Sequence, residues 1–309
     1  MSAGYEKLVV VTRKTRLQEL VERFNTRAQA RFYIERAGGD FEDYLREDDT
    51  YARALAGMRR SLELGLKLQL VERSLVPTFL FSDRDLVLVA GQDGLVANVA
   101  KYVGAQPIVA VNPDPARFDG VLLPFGPDQA RSVVTRVLEG RAQVREVTLA
   151  EAELNDGQRL LAFNDLFVGA RTHVSARYRI GVGAPAESQS SSGVIVSTGA
   201  GSTGWLSSVF NMAAGVAAFS GGQAGRALRL EWEDPRLAFV VREPFASRHS
   251  STGVVAGLLE AGEELVLESL MPTSGVIFSD GVEADAAGFN SGAIARIRAA
   301  AQRTRLVVG

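Results

Sequence analysis

The chain has 309 residues, 46% hydrophobic and 23% charged, with a net charge of −2 and no cysteine. This is the composition of a soluble globular protein long enough for two domains, and it excludes disulfides, Cys-ligated zinc and a thiol nucleophile. The near-neutral charge, with no basic cluster among aromatics, argues against nucleic acid; no apolar run reaches the ~20 residues of a membrane span.

The opening MSAGYEK has no signal-peptide core, so a cytoplasmic protein without a membrane partner is expected. Lys7 to Thr12 is a β-branched run and reads as a first parallel strand. Arg16 to Ala37 has helical spacing, with Leu17, Leu20, Val21 and Phe24 on one face, and ends at Gly38-Gly39. An acidic connection, Asp40 to Asp49, leads to a second helical pattern from Tyr51 to Leu64. Leu66 to Val71, Asp85 to Ala90 and Pro107 to Val111 read as further strands, with a helix from Leu95 to Val103 between the last two. Strands alternating with helices predict a parallel, doubly wound sheet. Asn112-Pro113-Asp114-Pro115 breaks that pattern, and Pro127 to Glu139 reads as one more helix.

Beyond Gly140 the texture changes. Val144 to Leu149, Asn164 to Gly169, Val174 to Ile180 and Val194 to Ser197 are short and separated by Gly, Ser and Pro, which predicts an antiparallel β domain. Gly181 to Ser192 reads as a flexible loop, Val276 to Ser279 as a late strand turning at Asp280-Gly281, and Arg303 to Val308 as a closing strand. The fold class expected is therefore α/β: a parallel-sheet domain over 1–140 and a β-rich antiparallel domain over 141–309, whose tail can pack back on the first.

Chemistry concentrates at two glycine-rich turns. Asp85 to Ala90 ends at Gly91-Gln92-Asp93-Gly94, and a helix follows. Two glycines allow close backbone approach, and a helix N-terminus favours an anion such as phosphate. The carboxyl end of a parallel strand is where open α/β sheets bind ligands. Asp93, alone beside such a cradle, is suited to accepting a proton or holding Mg²⁺; read more plainly, it caps the helix.

The second turn, Gly199-Ala200-Gly201-Ser202-Thr203-Gly204, follows the strand Val194 to Ser197 and spells the dinucleotide fingerprint G-x-G-x-x-G. It lies in the β-rich half, however, and no βαβ strand follows it, which argues against a Rossmann loop. Its hydroxyls (Ser197, Thr198, Ser202, Thr203) can grip phosphate or ribose, and Trp205 can stack on a base. Alternatively Ser202 caps a helix and Trp205 belongs to the core. His173 and His249 are the only histidines and have no metal-ligand spacing. Arg248 suits either a phosphate or a surface ion pair.

Taken together, these stretches resemble the NAD kinases of the diacylglycerol-kinase-like superfamily. Gly91-Gln92-Asp93-Gly94 resembles their GGDG motif, Phe163-Asn164-Asp165 their Asn-Glu motif, Ser192 through Trp205 their long Gly/Ser/Thr loop, and Phe278-Ser279-Asp280-Gly281 their late Asp-Gly turn. The opening VVVTRKTR, VAVNPDP at 109–115, the TGAGS…W form of the long loop and VREPFASR at 241–248 are most similar to the mitochondrial-type enzyme of animals. The resemblance implies transfer of the γ-phosphoryl of ATP, or of another donor, to the adenosine 2′-hydroxyl of NAD. It implies Mg²⁺ travelling with ATP, no fixed protein metal ligand, an active site in the cleft and a homodimer. Asp93 is the implied catalytic base, and Gly91, Gln92 and Gly94 receive donor phosphates. Asn164, Asp165, Thr198, Ser202, Thr203, Gly204 and Trp205 are implied to line the NAD site.

Three departures stand out. Gln92 replaces the second glycine of GGDG, Leu95 the usual Thr, and Asp165 the Glu. They leave open a kinase for a sugar, lipid or other nucleotide on the same scaffold, and a non-catalytic sensor of NAD(H) or NADP(H). A Rossmann oxidoreductase is the most distant alternative.

Overall fold

The computed structural model describes residues 4–223, 225 and 227–309. The chain forms two compact units, Met1–Arg145 with Arg305–Gly309, and Glu146–Thr304. The break lies five residues beyond the expected Gly140.

The first unit runs β1 (Lys7–Thr12), α1 (Arg16–Phe24), α2 (Arg27–Arg36), α3 (Phe41–Ser61), β2 (Lys67–Glu72), β3 (Asp85–Ala90), α4 (Asp93–Ala100), β4 (Pro107–Val111) and α5 (Ala130–Leu138). Its strands lie in the order β2-β1-β3-β4, all parallel. Every residue of β3 and β4 is buried, as the apolar runs require of central strands covered on both faces. Leu8, Val10, Leu86, Leu88, Val109 and Val111 of the strands pack with Met58 of α3 and with Val133, Val134 and Val137 of α5.

The second unit holds β5 (Gln143–Leu154, entering from the first unit), β6 (Arg159–Ala162), β7 (Asp165–Ala170), β8 (Ala176–Val182), β9 (Glu187–Ser191), β10 (Val194–Ser197), α6 (Trp205–Phe219), β11 (Leu237–Val241), β12 (Ala256–Leu259), β13 (Leu265–Ser269), β14 (Gly275–Ser279) and β15 (Val282–Gly288). The long last strand, β16 (Ile294–Val308), begins here. One six-stranded antiparallel sheet has the order β12-β11-β10-β7-β14-β15. Against it packs a layer containing β9, β8, β13 and the first part of β16, and Val168, Val196 and Phe239 meet Tyr178, Ile180 and Leu267 in one core. The last residues of β16 return to the first unit, where Arg305 and Leu306 pair in parallel with Pro107 and Ile108 of β4.

Several elements differ from expectation. The helix expected over Arg16 to Ala37 is two, because Asn25 adopts the left-handed conformation (φ 64°) that ends α1, and Thr26 caps α2. The acidic connection Asp40 to Asp49 is the first half of α3. Asp40 caps it by accepting from the Glu42 N–H, Phe41 is buried, and buried Glu47 is paired by Arg13 and Arg16. The loop expected over Gly181 to Ser192 contains strand β9. Its buried Gln189 and Ser191 both bond the hydroxyl of Tyr178, so polar side chains fill a place that hydropathy assigns to apolar ones.

Candidate active site

In the first unit, the chain leaves β3 at Ala90, and Gly91 donates to the Val111 carbonyl at the end of neighbouring β4. Helix α4 starts at Asp93, two residues earlier than the sequence pattern places it. Gln92 holds the cap position in extended conformation, with no capping bond from its side chain. Neither Gly91 nor Gly94 has a positive φ. The two glycines answer to different neighbours. A Cβ at Gly91 would fall 2.5 Å from Leu95 Cδ2, whereas one at Gly94 would meet nothing within 4 Å. Gly91 is thus fixed by packing, and exposed Gly94 borders open space.

Asp93 sits in the first turn of α4, half-buried, and does not cap it. Its Oδ1 accepts the backbone N–H of Leu122 at 2.6 Å, while Oδ2 accepts no hydrogen bond among the described residues. Leu122 is delivered by the loop after β4. Asn112 grips that loop by donating its side-chain amide to the Phe118 carbonyl and accepting from the Asp114 N–H, and Gly120, at φ 64°, passes so close that a Cβ would strike Asn112 Nδ2. The Asn112–Pro115 segment, read from sequence as a break and as part of the VAVNPDP resemblance, supplies in Asn112 the clamp on the loop that holds Asp93. Tyr51 of α3 supports the same turn from behind, donating its hydroxyl to the Ala90 carbonyl and accepting from the Arg13 N–H.

In the second unit, β14 and β15 are joined by Asp280 and Gly281, both left-handed (φ 53° and 68°), which is the two-residue turn whose twist suits a hairpin. The Asp280 carboxylate accepts the backbone N–H groups of Phe163, Asn164 and Asp165 at 3.0, 2.6 and 3.3 Å. It therefore fixes the segment that carries the two expected NAD-site residues. Asp165 is buried, and nothing among the described residues donates a hydrogen bond to its carboxylate. Burial, with the nearby Asp280 charge adding to it, pushes its carboxyl up to about 7. The Asn164 side chain is half-buried and likewise makes no hydrogen bond among the described residues. Asn164 and Asp165 are thus a pair of polar groups with free bonding capacity on a segment held rigid by a third residue.

The glycine-rich turn packs directly against them. The Thr198 hydroxyl donates to the Phe163 carbonyl at 2.6 Å and accepts the Gly201 N–H. A Cβ on Gly201 would lie 2.1 Å from the Asn164 carbonyl oxygen, and one on Gly199 1.8 Å from that of Glu231. These two glycines serve chain-to-chain approach. Ser202 is buried, donating to the Gly199 carbonyl and accepting the Leu230 N–H; it does not cap α6, whose cap position is Gly204. Thr203 and Gly204 are exposed. Trp205 stacks with Phe167 at 5.6 Å between centroids, and the Arg242 guanidinium lies over its ring. Of the expected NAD-site residues, Asn164, Asp165, Thr203 and Gly204 therefore keep polar atoms or surface for a ligand. Thr198 and Ser202 spend theirs on the backbone, and Trp205 is part of an aromatic stack. The antiparallel pairing of β10 with both β7 and β11 removes the βαβ setting that a dinucleotide fingerprint needs. His173, Arg248 and His249 lie exposed on this unit.

No family model and no curated protein matches the sequence. Solved structures do match. Yeast NADH kinase complexed with NADH aligns over 98% of this chain and 83% of its own, with a TM-score of 0.56 and 16% identity. The NAD kinase of Archaeoglobus fulgidus in complex with ATP aligns over 98% of this chain and 93% of its own, with a TM-score of 0.54 and again 16% identity. The chain has the NAD-kinase fold. At that identity the likeness concerns the fold, and the residues must carry the rest.

Proposed function

We propose that this protein is an NAD kinase, moving the γ-phosphoryl of ATP or a related donor to the adenosine 2′-hydroxyl of NAD. The observation that carries the reading is Asp93, held by the Leu122 N–H through one oxygen, with the other unengaged, beside the open surface at Gly94. Phosphoryl transfer asks a protein mainly for positioning and charge stabilisation, with one group to take the acceptor's proton. On this reading Oδ2 of Asp93 accepts that proton as the 2′-oxygen bonds to phosphorus and the bond to the leaving ADP breaks. The Leu122 bond holds the carboxylate in one orientation, so none of its motion has to be frozen during transfer. The first amides of α4 and the surface at Gly94 receive donor phosphates, and the Gln92 side chain, free of any capping bond, is available to donate to them.

In the second unit, ionised Asp165 accepts hydrogen bonds from the hydroxyls of the nicotinamide-side ribose, the Asn164 side-chain amide donates or accepts beside it, and Thr203 and Gly204 lie along the same ligand. Mg²⁺ neutralises the donor when bound. Mg²⁺ would arrive with the donor nucleotide, and no step is assigned to it. The neighbours crystallised with NADH and with ATP support nucleotides as the ligand class.

The test is direct. Purified protein with ATP·Mg²⁺ and a panel of acceptors (NAD, NADH, sugars, a diacylglycerol) is expected to phosphorylate only the dinucleotides. Asp93→Asn is expected to lower kcat by roughly 10²–10⁴-fold, the usual worth of a general base, with the NAD dissociation constant unchanged within about twofold. Transfer to a sugar or lipid instead would reassign the acceptor. NAD binding without ATP binding in calorimetry would make the protein a sensor.

A further inference from the structure

The irregular loop over 112–129 joins β4 to α5 and brings the Leu122 N–H to Asp93. A loop longer than about 12–15 residues keeps one conformation only where something ties it down. Asn112 ties its beginning. A second tie reaches across to α3. Arg117 donates from Nη2 to Asp43 Oδ1 at 2.6 Å and from Nη1 to Oδ2 at 3.1 Å, a fork-to-fork pairing that fixes direction as well as distance. The backbone N–H groups of Arg117 and Phe118 both donate to the Asp114 carbonyl, so the guanidinium is carried on a closed turn. Phe118 follows, with its carbonyl held by Asn112 and its ring beneath the Arg13 guanidinium, 5.8 Å from the centroid.

Charge balance does not call for Arg117. Asp43 already meets Arg16 at 2.9 Å and Arg46 at 3.5 Å, and an acid in the first turn of a helix is favoured by the dipole. Stability does not call for it either. The two side chains are 25 and 34% exposed, where an ion pair contributes little to folding. What the pair does is locate the loop. Asp43 lies about two turns before Tyr51 on α3, and Tyr51 holds the Ala90 carbonyl at the end of β3. Both approaches to Asp93, the strand behind it and the loop in front, are therefore referred to one helix.

We infer that Arg117 and Asp43 are a positioning pair for the phosphoryl transfer: by holding the loop on α3 they set where the Leu122 N–H meets Oδ1 of Asp93, and so keep Oδ2 turned to the acceptor. The inference rests on the reading of Asp93 as proton acceptor and extends it to residues that touch no substrate. The pair is separated by 74 positions in the chain, so no local pattern announces it.

Arg117→Ala is expected to lower kcat roughly 10- to 100-fold, the cost of misplacing a reacting group by about 1 Å, with KM for NAD and for ATP within about threefold. Arg46→Ala, which takes a cation from the same carboxylate without touching the loop, is expected to keep wild-type turnover. Added to Asp93→Asn, Arg117→Ala is expected to cost less than about threefold more, because the group it positions is already lost, whereas independent roles would multiply. Amide exchange followed by NMR gives a readout that needs no turnover. In Arg117→Ala the Leu122 N–H is expected to exchange at least about 10-fold faster, while the amides of β3 and β4 keep their protection. Wild-type kcat in Arg117→Ala, a full multiplicative loss in the double variant, unchanged protection of Leu122, or exchange accelerated equally throughout the first unit would each overturn the inference. A protein that transfers no phosphoryl group, or an Asp93→Asn variant at full speed, would instead overturn the reading of Asp93, and the exchange measurement would still decide whether Arg117 holds Leu122.

Discussion

At the scale of single residues, the two carboxylates differ in how far the sequence reveals them. Asp93 is legible because its setting is local: an apolar strand, a turn and a helix within seventeen residues. What fixes its orientation, the Leu122 N–H, is twenty-nine residues away and leaves no local mark. Asp165 shows the limit more sharply. Its raised protonation comes from burial and from Asp280, which the fold alone brings near. Because the folded value of about 7 lies above the ordinary aspartate value of 3.8, the native state holds the proton more tightly than the unfolded chain. Stability is therefore free of this penalty at low pH, falls as pH rises past 3.8, and has lost roughly 4 kcal/mol once pH passes 7. Asp165→Asn is expected to raise the melting temperature above pH 7, with the gain shrinking toward pH 5, as thermal denaturation across that range would show. On the proposed function the ionised form is the ribose acceptor. NAD affinity should then increase by up to about tenfold per pH unit as pH approaches 7 from below, and Asp165→Asn should flatten that dependence in titration calorimetry.

At the scale of elements, runs whose residues are all alike in polarity were readable, and those that depend on distant partners were not. β3, β4 and β10 follow their apolar runs because both faces are buried. β9 was hidden because its inward side chains are Gln189 and Ser191, made acceptable by one tyrosine hydroxyl. The start of α3 was hidden because Glu47 is buried with two guanidiniums that precede it by more than thirty residues. The glycine motifs divide in the same way. Sequence shows Gly91, Gly94, Gly199 and Gly201 alike as members of glycine-rich turns after a strand, whereas packing separates them. Gly201→Ala must displace the Asn164 carbonyl and is expected to cost about 2–4 kcal/mol of folding stability, measurable by urea denaturation. Gly94→Ala points its methyl group into open space and should leave stability within about 1 kcal/mol while weakening ATP. If both variants unfold alike, the distinction drawn between the two turns is wrong.

At the scale of the whole chain, the change in texture near Gly140 marked where one kind of sheet gives way to another, and the compact units divide at Arg145. The final strand was the harder part, since β16 serves one unit with its first residues and the other with its last. Leu306 and Val307 are buried in the first unit, beside β4. Deleting residues 305–309 removes that pairing and is expected to lower the stability of the first unit by about 3 kcal/mol or more, seen as faster proteolytic cleavage within 1–145 than within 146–304.

The same strand imposes an order of events on the ribosome. When β4 emerges, its outer edge has no neighbour, and the segment that will cover it, starting at Arg305, is still about 190 residues of translation beyond Val111. At roughly 5–20 residues per second, that edge stands bare for about 10–40 s. Throughout that interval the nascent amino-terminal half is an incomplete sheet with a ready template for mispairing, which makes it a natural client for a chaperone.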